Sequence, residues 1–139
     1  MQMMKFKLLI TILFLACIAC VCNAQTYRDK NNMKVGSMDK GTVRDKNNMK
    51  VGSFSDNNVI RDRNNMKVGS VDKNGTVRDK NNMKIGSISS DGVVRDKNNM
   101  KIGSIDSNGN VRDKNNMKIG TASGVDIYQA AVMYFFNLI

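Results

Sequence analysis

Between Tyr27 and Thr121 apolar residues come singly or in pairs, set among Lys, Arg, Asn, Asp and Gly. Short alternating segments bounded by Asp, Asn and Gly predict β-strands joined by tight turns. The pattern is periodic. A core RDKNNMK(V/I)G begins at Arg28, Arg44, Arg61, Arg78, Arg95 and Arg112, in steps of 16, 17, 17, 17 and 17 residues, with Arg63 replacing one Lys. A unit this short cannot hold a helical hairpin but suits two short strands and two turns.

The unit around Gly109 shows the expected geometry. Asp106-Ser107-Asn108-Gly109 and Asp113-Lys114-Asn115-Asn116 share the form Asp-x-x-(Gly/Asn). Gly, and Asn after it, tolerate the left-handed backbone that such a turn needs. Read as three-residue loops, they pair Asp113 with Met117, Val111 with Ile119, and Ile105 with Val111. Val111, Met117 and Ile119 then share one face, and Arg112 and Lys118 the other, as a half-buried strand requires. Ile102 and Ile105 break strict alternation, which predicts a bulge or kink at Gly103 and at its equivalents Gly36, Gly52, Gly69, Gly86 and Gly120.

An antiparallel meander of this kind exposes two edges unless it closes. The segment Tyr27–Lys30 reads as a first half-unit and Met117–Thr121 as a last. Their pairing would complete a ring of five full units plus one made from both ends.

The repeat stops at Gly124-Val125-Asp126. The tail from Ile127 to Ile139, IYQAAVMYFFNLI, is apolar on every side apart from Gln129 and Asn137. A helix without a polar face is a buried helix. Thirteen residues reach about 20 Å, short of a bilayer. Residues 124–139 are therefore expected to plug the ring. A membrane-dipping, partner-binding or aggregation-prone tail is the alternative.

The N-terminus changes the compartment. Lys5 and Lys7 precede an apolar run from Leu8 to Val21, with small residues Cys22 and Ala24 before Gln25. This predicts a signal peptide over residues 1–24 and a secreted or periplasmic protein. Lipoprotein processing at Cys17 or Cys20 is a second reading, since each follows an alanine. The three cysteines of the chain all lie in this leader, so residues 25–139 would fold in an oxidising space with no disulfide. Loss of Lys5 and Lys7 takes the net charge from +10 to +8.

The segment GNVRDKNNMKIG, Gly109 to Gly120, fits the pattern Gly-x-Val-x-Asp-x-x-(Gly/Asn)-x-x-Ile-Gly and resembles the repeats of the beta-flower proteins. The leader ending in NAQ and the terminal AAVMYFF also look like the five-fold beta-flower type of bacteria. The resemblance covers nearly all of residues 25–139. It implies an all-β fold, a closed symmetric barrel of repeated β-hairpins over residues 25–123. Its outline would be similar to the tubby C-terminal fold, where an apolar helix threads the barrel. It implies no settled activity and no catalytic residues. Six core copies leave both five and six petals open.

Composition narrows the chemistry. With no His and no Glu among 139 residues, the usual zinc sites and His-based triads are excluded. Each core Asp is repeated six times, unlike a catalytic residue, and Asp126 and Tyr128 have no evident partner; no enzyme activity, cofactor or metal is expected. The six recurrent methionines, Met33 to Met117, would offer thioethers to Cu(I) but read more simply as flexible core filler. The Asp turns supply too few carboxylates for calcium.

Each core contributes three cations and one Asp, so a closed ring carries a basic belt. Its candidate anion-binding residues are Arg44, Lys50, Arg61, Lys67, Arg78, Lys84, Arg95, Lys101, Arg112 and Lys118. Such a belt attracts anionic lipid headgroups or acidic glycans. Nucleic acid is disfavoured, because only Tyr27 and Phe54 are aromatic within the repeats and no stacking platform exists. The plain alternative is a solvated face that keeps a repetitive β-protein soluble. The expectation is a secreted or cell-envelope, non-enzymatic β-repeat domain acting in binding or structure, with peripheral binding of anionic lipid or glycan as the second reading.

Overall fold

The computed structural model describes residues 25–139 apart from Asn57; the leader expected over 1–24 lies outside the described residues. Twelve strands follow one another. They are β1 (Gln25–Asp29), β2 (Lys34–Asp39), β3 (Thr42–Asp45), β4 (Lys50–Phe54), β5 (Val59–Asp62) and β6 (Lys67–Val71), then β7 (Thr76–Asp79), β8 (Lys84–Ile88), β9 (Val93–Asp96), β10 (Lys101–Ile105), β11 (Asn110–Asp113) and β12 (Lys118–Ser123). Each pairs antiparallel with its sequence neighbours, and β1 pairs with β12, placing Tyr27 opposite Ala122 and Arg28 opposite Thr121. The sheet is a closed barrel, so no strand edge is left open. A short helix α1 (Ile127–Ala131) and a π-helical turn (Val132–Phe136) complete the chain.

The repeated core makes the turns of one rim. In all six copies the Asp Oδ1 accepts the backbone N–H groups two and four residues on, as Asp96 does from Asn98 and Met100. The third loop residue, always Asn, sits in the left-handed region with φ between 65° and 67°. Asn tolerates that region better than other non-glycine residues. The Arg before each Asp donates Nη1 to the carbonyl of the same Asn, at 3.0 to 3.3 Å. The expected three-residue loops are therefore present.

The opposite rim follows the same plan with one exception. Gly75, Gly92 and Gly109 take the positive φ in their loops. Between β2 and β3, however, Asp39 pairs with Thr42 around only two residues. Lys40 and Gly41 both have positive φ, 51° and 84°, the signature of a type I′ turn. One residue fewer in this loop is the reason the first repeat step is 16.

The register departs from expectation at one place in every unit. Arg112 pairs with Lys118 as read, but Val111 faces Gly120, not Ile119. The extra residue of the bulge is Ile119 itself, as are Val35, Val51, Val68, Ile85 and Ile102 in the other units. The methionines are also placed differently. Met33, Met49, Met66, Met83, Met100 and Met117 are 64 to 65% exposed and fill no core. The strand pair ends at Asp and Met, so the Met side chain stands beyond the barrel wall with nothing above it to pack on.

The interior is layered. Met38, Phe54, Val71, Ile88, Ile105 and Ala122 form a buried ring near the variable rim, and Tyr27, Val43, Ile60, Val77, Val94 and Val111 a second ring above it. Beside the second ring lie the six repeat glycines, all buried. Their φ is not positive; the constraint is close approach. A Cβ on Gly36, Gly52, Gly69 or Gly103 would lie 2.6 Å from the carbonyl oxygen of the Arg on the next strand.

The tail climbs the barrel axis. Tyr128 lies near Gly75 on the variable rim, and Ala130, Ala131 and Val132 are fully buried. Small tail residues occupy the level where the wall carries large side chains. Large tail residues follow where the wall carries glycine. Tyr134, Phe135, Phe136, Leu138 and Ile139 lie over Gly120, Gly103, Gly86, Gly69 and Gly52 in that order. These five side chains thus step back one hairpin at a time around the ring, with Asn137 passed over between Phe136 and Leu138. The π-helical turn is wider than an α-helix, which rotates about 100° per residue, so it better matches a step of one sixth of a circle. Tyr134 also holds the closure: its hydroxyl lies 2.7 Å from the Arg28 carbonyl on β1 and 3.0 Å from the Thr121 carbonyl on β12.

Three outcomes follow from this packing. Gly103→Ala, which drives a methyl against the Arg112 carbonyl and the Phe135 ring, should lower unfolding free energy by about 1–3 kcal/mol, and Gly103→Val by more. A wild-type melting temperature in either variant would contradict the close-approach argument. Tyr134→Phe should cost about 1–2 kcal/mol through the lost carbonyl contacts at the seam, measured by urea unfolding. Burial raises the pKa of both Tyr27 and Tyr134 above the usual phenol range, and the neighbouring tyrosine adds to the shift at Tyr27. A raised folded-state pKa gives stability that is complete below the unfolded value of about 10 and lost as pH climbs past it. Unfolding midpoints should therefore fall on alkaline titration above about pH 10, and less steeply in Tyr27→Phe.

Candidate functional site

The barrel wall positions the cations by alternation. Val43, Ile60, Val77, Val94 and Val111 point inward, so the Arg that follows each of them points outward. The neighbouring strand places a Lys directly opposite. Arg44 pairs with Lys50, Arg61 with Lys67, Arg78 with Lys84, Arg95 with Lys101, and Arg112 with Lys118. The ten residues read from the sequence are thus brought together as five cross-strand pairs beside the Asn-rich rim. A sixth pair, Arg28 with Lys34, completes the circle. It carries the same motif, and only its place in the leading half-unit kept it from the reading.

Directly opposed like charges are unfavourable. Local packing relieves them only in part. The adjacent Asp spends one carboxylate oxygen on two turn N–H groups, and the guanidinium turns to a carbonyl. Among the described residues one ion pair is present, Arg78 with Asp72 at 3.8 Å, an exposed contact of little strength. All six paired lysines are exposed, as is the third cation of each core at the loop tip, Lys30, Lys46, Arg63, Lys80, Lys97 or Lys114. The rim therefore holds a circle of cations with free valence toward an anion.

The exposed methionines belong to the same six hairpins. Each Met directly precedes the paired Lys, so apolar and cationic groups alternate around one mouth of the barrel. The described residues contain no group of three or more Asp or Cys side chains placed to hold a metal ion.

The opposite rim carries different chemistry. Its acidic residues include Asp91 and Asp106, both held below the usual carboxylate range, chiefly by hydrogen bonds from Ser89 and from the Asn110 side chain respectively. The barrel is thus polarised, with its repeated cations at one end.

No curated protein and no solved structure matches this chain. A family model described as 5-fold beta-flower protein matches residues 24–138. The described residues form six Asn-rich hairpins on one rim, joined by five turns on the other. With that match spanning the whole barrel and its plug, the chain belongs to the 5-fold beta-flower family.

Proposed function

We propose that the protein is a secreted or cell-envelope, non-enzymatic β-repeat domain that docks its Asn-rich rim on an anionic lipid surface. The observation that carries this reading is the coincidence of six exposed methionines with six like-charged Arg–Lys pairs on one rim. Cations alone would suit an acidic glycan equally well. A crown of exposed thioether side chains adds an apolar component, which a headgroup layer accepts and a hydrated glycan does not.

The geometry favours lying on a membrane over crossing one. Among the described residues no helix is long and apolar enough to cross. The outward positions of the strands are mostly Arg, Lys, Ser and Thr, whereas a spanning barrel needs an apolar outer band. The apolar tail is packed against the core of the ring. The core Asp residues are engaged in their turns, which supports a role in shape and not in catalysis.

Vesicle sedimentation tests the proposal. The protein should pellet with phosphatidylglycerol–phosphatidylcholine vesicles, remain in the supernatant with phosphatidylcholine alone, and be released by salt near 1 M, where the screening length is about 3 Å. Each lysine removed from the belt, starting with Lys84→Ser and Lys101→Ser, should cost about 1 kcal/mol, roughly fivefold in partitioning. Replacing Met83 and Met100 by Ser should weaken binding with little change in its salt dependence. No binding at low salt would remove the lipid reading. Salt-sensitive capture by an acidic polysaccharide without vesicle binding would replace it with the glycan.

A further inference from the structure

The six methionines of the Asn-rich rim are fixed by their backbones and free in their side chains. Each Met N–H donates to the Oδ1 of its core Asp at 3.0 Å. Each Met carbonyl accepts from the N–H of the same Asp at 2.9 Å. The side chains are 64 to 65% exposed. The turn itself does not require methionine. On the opposite rim the same bond from the same loop position is made by Thr76 to Asp72 and by Asn110 to Asp106, each at 3.0 Å. A thioether thus recurs six times where a hydroxyl or amide side chain serves the fold equally well.

The other two methionines among the described residues are placed in the opposite way. Met38 is 5% exposed in the buried ring near the variable rim, and Met133 packs against the core. The barrel therefore holds two classes of thioether. A peroxide converts either to methionine sulfoxide, a polar and chiral group. The sulfur lone pair attacks one peroxide oxygen, an S–O bond forms and the O–O bond breaks. The proton of the transferred oxygen goes to the departing hydroxide, which leaves as water. The sulfur loses two electrons and the peroxide gains them. Within a core the product disrupts packing. On the rim it meets solvent and the lysine that follows each Met, whose ammonium group is a hydrogen-bond donor.

We infer that the Asn-rich rim is a six-fold oxidation site for peroxides, where methionine sulfoxide forms without unfolding the barrel and removes the apolar part of the contact with lipid. The second part of this inference rests on the lipid reading; the first does not. The six side chains share one environment, so they oxidise as a set. The rim then passes from apolar and cationic to polar and cationic, with its charge unchanged. Reductases specific for each sulfoxide epimer restore the thioether, so the change is reversible.

Trypsin separates the two classes of methionine. Cleavage after Lys and Arg releases every rim Met in the same tetrapeptide, Asn-Asn-Met-Lys, and leaves Met38 and Met133 in two other peptides. After treatment of the full chain with hydrogen peroxide, mass spectrometry should find the tetrapeptide converted to its one-oxygen form while the other two peptides are unmodified, with the melting temperature unchanged. Partitioning of this oxidised protein onto phosphatidylglycerol–phosphatidylcholine vesicles should fall about tenfold or more, because six apolar groups change at once. Sulfoxide reductases of both stereospecificities should restore it. The six-fold variant Met33→Leu, Met49→Leu, Met66→Leu, Met83→Leu, Met100→Leu and Met117→Leu should bind equally before and after peroxide. Oxidation of Met38 or Met133 in step with the tetrapeptide, or a melting temperature that falls as the tetrapeptide is converted, would overturn the selective site. Equal vesicle binding of reduced and oxidised protein, or release of the six-fold variant by peroxide, would overturn the effect on lipid binding. Failure of the reduced protein to bind vesicles would remove the lipid reading and that effect together, while the tryptic masses alone decide the oxidation site.

Discussion

A β-meander without disulfides has two unpaired edges, and this molecule satisfies them with each other. The pairing of β1 with β12 is the constraint on which the rest depends. It converts a ribbon into a ring, and a ring of this size has an interior that must be filled. The wall fills the lower levels with its own side chains. Where neighbouring strands come too close for any Cβ, the wall carries only glycine and the tail supplies the missing bulk. Glycine on the wall and aromatic residues in the tail are therefore two halves of one packing solution, in the way small barrels alternate small and large residues to fill a taper.

Much of this was legible in the repeats. The Asp-x-x-Asn and Asp-x-x-Gly turns follow from the few residues that accept positive φ, and the outward Arg–Lys pairs follow from alternation counted back from those turns. Closure was readable because the first and last segments each look like half of one unit. The bulge was placed near the right residue but one position late: alternation shows that a residue is extra, and Ile119 and Gly120 satisfy the count equally well. The methionines misled because an apolar residue at an inward position is ordinarily core. Here the position lies past the point where the wall ends. The staircase of Tyr134 to Ile139 over successive glycines was hidden, because no local pattern in the tail encodes the angular spacing of hairpins far away in sequence.

The polarity of the barrel has a similar origin. One rim is nearly invariant from hairpin to hairpin, and its turns are made from one set of side chains used six times. The other varies in loop length and composition, from the two-residue turn at Lys40–Gly41 to the Ser89–Gly92 loop. Identical local geometry repeated around a circle brings like charges into register, at an energetic cost that neutral substitutions would avoid. That the cost is carried in all six hairpins is what makes this rim, and not its counterpart, the candidate contact surface.

The seam clasped by Tyr134 bears on how the molecule can be assembled during synthesis. Hairpins form from adjacent sequence and can appear in order as the chain emerges. The outer edge of β1 is different: its partner strand is β12, and the hydroxyl that bridges the two lies 106 residues beyond Arg28. Of the twelve strands, β1 therefore waits longest for its second partner, and ring completion is a long-range event with a correspondingly large loop entropy to overcome. Until then, near-identical hairpins compete for the same vacant edge, and the unlike turn and unlike residue near the front, Lys40–Gly41 and Tyr27, give the correct partner a means of being told apart.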